Sequence, residues 1–166
     1  MKIKEKLHLK MRNKILVVST CNPEKTAILL GEYSYTSGIT PRRCKCGGVK
    51  ITGKKVWRAK THQSEELLPA VDKLLKQNKL KTEDLGLIVV NIGPGSFTGI
   101  RVGVATANAF GFALNISVVG IKARDIDIEK IMQKGFDLYK KGKTKKGIIA
   151  RPFYDKKPNI TTPKNK

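Results

Sequence analysis

A chain of 166 residues with a hydrophobic fraction of 40% fits one domain and is long enough to bury a core. Its 34 Lys and Arg against 13 Asp and Glu give a net charge of +21, which points to nucleic acid or an acidic protein face, unless the composition tracks a lysine-rich proteome. Three cysteines and no long apolar stretch after the basic opening argue against an exported, disulfide-stapled fold and read as reduced thiols in a cytoplasm.

Residues 1–13 form a basic extension with Lys2, Lys4, Lys6, Lys10 and Arg12 against Glu5, and Met11 is an alternative start. Residues 14–20 read as a buried, β-branched strand, Asn22-Pro23 as a turn, and residues 26–30 as a returning strand. A polar, basic stretch over 34–48 leads to a third strand around Val56, completing an antiparallel meander. Residues 64–78 are the clearest helix. Ser64 is placed to cap it, Leu67, Leu68, Val71, Leu74 and Leu75 form its apolar face, and Pro69 bends it or marks its start. Residues 85–90 give a fourth strand, a glycine-rich helix follows near Thr98, and 116–121 give a fifth strand. One more helix is expected within 122–139, and a basic tail from Lys140 onward.

The order β-β-β-α-β-α-β is that of an actin-like or ribonuclease-H-like α/β lobe, with right-handed crossovers expected. The lobe spans 14–121, and 122–166 are expected to hold a truncated second lobe and the tail.

The stretch from Asn91 to Gly111 is the most informative. Gly99, Gly103, Ala107 and Gly111 fall four apart and share one helical face. Each interior glycine costs a helix about 1 kcal/mol against alanine, so the stripe implies close approach of another helix. Residues 102–121 carry no charge, but Thr106, Asn108, Asn115, Ser117 and the glycines divide them into helix, turn and strand rather than a membrane span.

Catalytic chemistry is thinly supplied. A two-metal nuclease needs carboxylates on its first and fourth strands, where this chain has Ser19-Thr20 and Asn91. The turn at Gly95, Ser96 and Thr98 opens a helix, so it suits either N-capping or an anion; without Gly-Lys-Ser/Thr it is no P-loop. Cys21, Ser19 and Ser96 lack an evident histidine base, as the chain has His8 and His62 alone. Cys44-Lys-Cys46 with His62 falls short of four zinc ligands. Trp57, Tyr33 and Tyr35 form no regular stacking array.

The run Gly93-Pro-Gly-Ser-Phe-Thr-Gly-Ile-Arg-Val-Gly103 resembles the central motif of the TsaB (YeaZ) family. Residues 64–69, 85–91 and 115–120 are similar to the family's flanking helix and strands, and 152–158 to its closing Pro-x-Tyr-x-basic-x-Pro segment. The resemblance is fullest over 61–121 and weaker at 14–30 and 150–160. It implies an actin-like (ASKHA) subunit, itself non-catalytic, of the complex forming N6-threonylcarbamoyladenosine at position 37 of tRNA. Its implied partners are the catalytic subunit TsaD and the ATPase TsaE, with tRNA reached through the complex and ATP and metal on the partners. The same resemblance implies helix pairing, with TsaD or in a homodimer, through Gly99, Arg101, Val102, Gly103, Thr106, Ala107, Phe110 and Gly111. Three departures are a serine at 19 where many members carry aspartate, a short second lobe, and the charge of +21. The rival readings are a nucleotide-binding enzyme of the actin or sugar-kinase class and a basic RNA-binding remnant.

Overall fold

The computed structural model describes residues 12–33, 48–59, 62–124, 127–144 and 146–155. Five strands form one sheet in the order β3-β2-β1-β4-β5. They are β1 (Lys14–Ser19), β2 (Thr26–Tyr33), β3 (Val49–Trp57), β4 (Leu85–Gly93) and β5 (Ser117–Lys122). β1 pairs antiparallel with β2 (Leu16 opposite Leu30) and β2 antiparallel with β3, whereas β4 runs parallel to both β1 and β5. The anticipated meander and parallel pair are therefore present, with β2 and β4 each three residues longer than the sequence suggests.

Helices α1 (Gln63–Gln77), α2 (Phe97–Leu114) and α3 (Ile128–Lys140) complete the fold. Alternation within β1 decides which face each side chain joins. Leu16 and Val18 pack with Ile88, Val90, Leu67, Leu74, Ile100 and Val104, under α1 and α2. Ile15 and Val17 pack with Leu29, Val89, Ile131 and Phe136, under α3. Both faces are covered, which is why β1 and β4 read as unbroken apolar runs.

Three expectations are corrected. His62, not Ser64, precedes the first turn of α1 and makes no side-chain cap; Ser64 is exposed inside the helix. Pro69 is exposed in the interior of α1, so it does not mark the helix start, the second of the two roles expected for it. The region after residue 121 is no remnant of a second lobe among the described residues: α3 belongs to the core of the same sheet, and residues 148–155 return across it. By length and composition α2 is apolar enough to cross a membrane, yet Gly99, Ile100, Gly103, Val104, Ala107 and Gly111 are buried against the protein's own sheet.

Residues 1–11, 34–47 and 156–166 lie outside the described residues, and with them Cys44, Cys46 and His8.

Candidate functional site

The N-terminus of α2 is held by a buried polar knot. Thr20, which follows β1, donates its hydroxyl to the Gly99 carbonyl at 2.6 Å. Gln63, the first residue of α1, donates its amide to the Thr20 carbonyl at 3.1 Å and to the Thr26 hydroxyl at 2.7 Å. All three side chains are buried. Two helices and two strands thus meet at one hydrogen-bonded point, with the polar groups paired as burial requires.

That knot explains the glycine stripe. A Cβ on Gly99 would run into the Thr20 carbonyl, one on Gly103 into the Thr20 hydroxyl, and one on Gly111 into the Val118 side chain. Ala107 is fully buried. The close approach implied by these residues is therefore to the chain's own strands rather than to a second helix. The expectation of Gly99, Gly103, Ala107 and Gly111 as direct partner contacts is corrected accordingly. Val102, Thr106 and Phe110 lie half-buried on the flanks, and Arg101 is exposed.

A second stripe, half a turn away, faces outward. Arg101, Ala105, Ala109 and Ala113 also fall four apart, and each is exposed. Phe112 lies on the same side and is 92% exposed. No acidic residue occurs in α2. Small side chains beside a fully presented aromatic ring make a surface that another helix can approach closely, and such an aromatic is typical of an interface anchor. The signal was in the sequence, since the helix carries two small-residue stripes; choosing the outer one required knowing which faced the sheet.

Residues 148–155 border this face. Asn108 exchanges two hydrogen bonds with the Ala150 backbone, at 3.0 and 2.9 Å, and the Phe153 amide donates to the Ile92 carbonyl at 2.8 Å. The ring of Tyr154 packs on Phe97 with centroids 4.8 Å apart. Arg101 donates to the Tyr154 hydroxyl at 3.1 Å and lies 3.9 Å over the Phe97 ring. The closing segment is thus a strap that fixes Arg101 at one end of the outward stripe.

A cleft of about 470 Å³ opens at the carboxyl ends of β1, β4 and β5, lined by Ser19, Cys21, Asn91, Gly95, Arg124 and Asp155 among others. Open α/β sheets take ligands at such ends. Asn91 ties the three strands together: its amide donates to the Ser19 hydroxyl at 3.2 Å and the Ala123 carbonyl at 3.1 Å, and its oxygen accepts from the Gly93 amide at 3.1 Å. Burial pushes the Cys21 thiol from 9.0 up to about 12, so it stays protonated and weakly nucleophilic. Arg124 is paired with Asp155. The turn expected either to cap or to bind an anion is folded onto the loop after β1: the Ser96 amide donates to the Cys21 carbonyl at 2.7 Å, and the Ser96 hydroxyl accepts from the Gly99 amide at 3.3 Å. Gly95 abuts Cys21, leaving Thr98 exposed. Of the two roles, capping is the one that the geometry displays. His62 is exposed, 3.6 Å from Glu65, and among the described residues no group of three His, Cys, Asp or Glu gathers into a metal site.

Comparison with known proteins gives a consistent result. The family model described as TsaD, tRNA N6-adenosine threonylcarbamoyltransferase, matches residues 57–139, half of the chain. The tRNA threonylcarbamoyladenosine biosynthesis protein TsaB of Bacillus subtilis is 31% identical over 98 residues, covering 59% of this chain and 41% of that protein. An uncharacterized protein of Mycobacterium tuberculosis is 34% identical over 111 residues, covering 67% of this chain and 46% of that protein. A crystal structure from Pseudomonas aeruginosa, of a protein with similarity to peptidase YEAZ, superposes with a TM-score of 0.51 at 21% identity, over 66% of this chain and 43% of that one. The last likeness speaks to the fold, the mixed sheet with helices of an actin-like lobe. The chain spans less than half the length of these relatives.

Proposed function

The chain belongs to the TsaD family, described as tRNA N6-adenosine threonylcarbamoyltransferase, and from that premise we propose that it is a TsaB-type subunit: a non-catalytic scaffold that pairs with a TsaD-type catalytic subunit. The complex forms N6-threonylcarbamoyladenosine at position 37 of tRNA in the cytoplasm. A TsaE-type ATPase joins it, and ATP and metal reside on the partner subunits.

The observation that carries this reading is the outward stripe of α2. A helix whose inner small residues seat it on the sheet, and whose outer small residues and Phe112 meet solvent, is built for one further helix. The chemistry of the strand-end cleft supports the non-catalytic part. Cys21 is held as a thiol, the Asn91 side chain is engaged at both its oxygen and its nitrogen, and Asp155 is neutralised by Arg124. None of these groups is poised as a general base or nucleophile.

The test is co-purification of the full chain with the TsaD-type protein of its own genome, after nuclease treatment. A stoichiometric complex, lost in Ala109→Arg while the thermal midpoint of the variant stays unchanged, is the expected result. Failure of the wild-type chain to form it would overturn the reading. The rival of a nucleotide-using enzyme draws on the cleft, where Lys25 and Arg124 stand beside the strand ends. Calorimetric titration of the chain alone with Mg-ATP decides it: micromolar binding would favour the rival, and none is expected.

A further inference from the structure

Part of the positive charge of the folded body is answered by carboxylates: Lys14 by Glu32, Lys54 by Asp127 and Glu129, Arg58 by Glu24, Lys76 by Asp72, Arg124 by Asp155. Lys25, Lys50, Lys73, Lys79, Lys81, Lys130 and Lys134 are exposed with no ion pair among the described residues. The edge formed by β5 sets its bases close together with no acid between them. β5 is the last strand of the sheet, and α3 ends beside it, where Leu138 shares a groove of about 320 Å³ with Val118, Gly120, Lys143, Ile149 and Arg151. From Leu138 to Tyr154 the sequence holds Lys140, Lys141, Lys143, Lys145, Lys146 and Arg151 and no acidic residue. Lys141, Lys143, Lys146 and Arg151 are exposed. Among the described residues, no ion pair reaches any of them. At the carboxyl end of the same strand, the exposed Lys122 has its ammonium 3.7 Å over the Phe153 ring.

The helix dipole accounts for a lysine in the last turn of α3, which is Lys140. It does not reach Lys143, Lys146 or Arg151, which lie beyond the helix on the returning segment. Unpaired lysines repeated through the turns that follow α3, with no acid between them, give a group of point charges rather than a pocket. That arrangement matches the regular charge of a phosphate backbone.

We propose that the β5 edge is an RNA-backbone contact surface, with Lys122, Lys141, Lys143, Lys146 and Arg151 each facing phosphates. The inference rests on the TsaB-type reading in one respect, the choice of tRNA as the RNA. It places the contact on Lys122 and on the described first part of what the sequence reads as a basic tail from Lys140 onward. Recognition is independent of base sequence, because lysine contacts to phosphate carry none.

The test is fluorescence anisotropy of labelled tRNA with the full chain across a salt series. The edge variant carries Lys141→Gln, Lys143→Gln, Lys146→Gln and Arg151→Gln. A control variant carries Lys50→Gln, Lys73→Gln, Lys79→Gln and Lys81→Gln, exposed positions outside this edge. Far-UV circular dichroism confirms that both variants fold. The edge variant is expected to lose about 10- to 100-fold in affinity at fixed salt, and its log–log salt slope to fall by about 3, while the control keeps both nearly unchanged. Equal losses in the two variants would overturn the proposal in favour of diffuse attraction by net charge. Unchanged affinity in both would overturn it in favour of the basic residues of 1–13 and of those beyond Asp155. Unchanged tRNA affinity together with a lost TsaD-type complex in the edge variant would make the edge an acidic-protein surface instead. Loss of the complex in the wild-type chain would sink the TsaB-type reading but leave the salt-slope comparison standing.

Discussion

Thr20, Gln63 and Gly103 carry more of the architecture than their sequence positions suggest. Gly103→Ala places a methyl group against the Thr20 hydroxyl, so it is expected to destabilise the fold by about 1–3 kcal/mol through overpacking. Urea titration reads that loss. Gly103→Leu is expected to disrupt the folded chain rather than its pairing with another helix. Gln63→Ala removes the donor to Thr20 and Thr26 and leaves buried oxygens unpaired. The expected cost is about 1–3 kcal/mol, read in the same titration. Cys21 gives a pH prediction. Its folded-state value lies above the unfolded one, so its contribution to stability is complete below about 9 and is lost as pH rises toward about 12. Stability measured across that window is expected to fall more steeply in the wild-type chain than in Cys21→Ala. At this level the sequence was a partial guide. Ser96 as a cap and Asn91 in place of a carboxylate were readable from their positions. Gln63 was not, because nothing in a polar residue at a helix start marks it as buried until Thr20 and Thr26 are brought beside it.

Among the elements, α2 and the strap behave as one unit. Asn108 holds the Ala150 backbone through two bonds, so Asn108→Ala is expected to speed hydrogen exchange at residues 150–153 while leaving β4 protected. Unchanged exchange there would show that Phe153 and Tyr154 suffice to hold the strap. Strand and helix positions were readable from apolar runs and small-residue spacing, since β1, β4 and β5 are bounded by turn residues and α1 has one apolar face. The side on which α2 meets its neighbours was not readable. Two stripes of small residues with the same spacing lie on opposite sides of one cylinder, and only packing onto Thr20 and Val118 distinguishes them. The role of α3 escaped for a related reason: its amphipathic pattern predicts a helix, but not the bare lower face of the sheet that it covers.

For the molecule as a whole, charge favours a hetero-complex over a homodimer. Two copies bring +21 against +21, and α2 offers no carboxylate to answer Arg101 of a second copy. Self-association is therefore expected to be weak at low salt and to strengthen as salt rises, whereas pairing with an acidic partner weakens. Sedimentation equilibrium of the chain alone over a salt series checks the first half. A tight homodimer at low salt would contradict it.

The central claim, that the outer face of α2 is the pairing surface, is tested most directly by calorimetric titration of the TsaD-type subunit with wild-type chain, Ala109→Arg and Gly103→Ala. Binding that vanishes in Ala109→Arg at unchanged thermal stability, and persists in the folded fraction of Gly103→Ala despite its lower stability, is the predicted result. Wild-type affinity in Ala109→Arg would contradict the claim and move the interface off this helix.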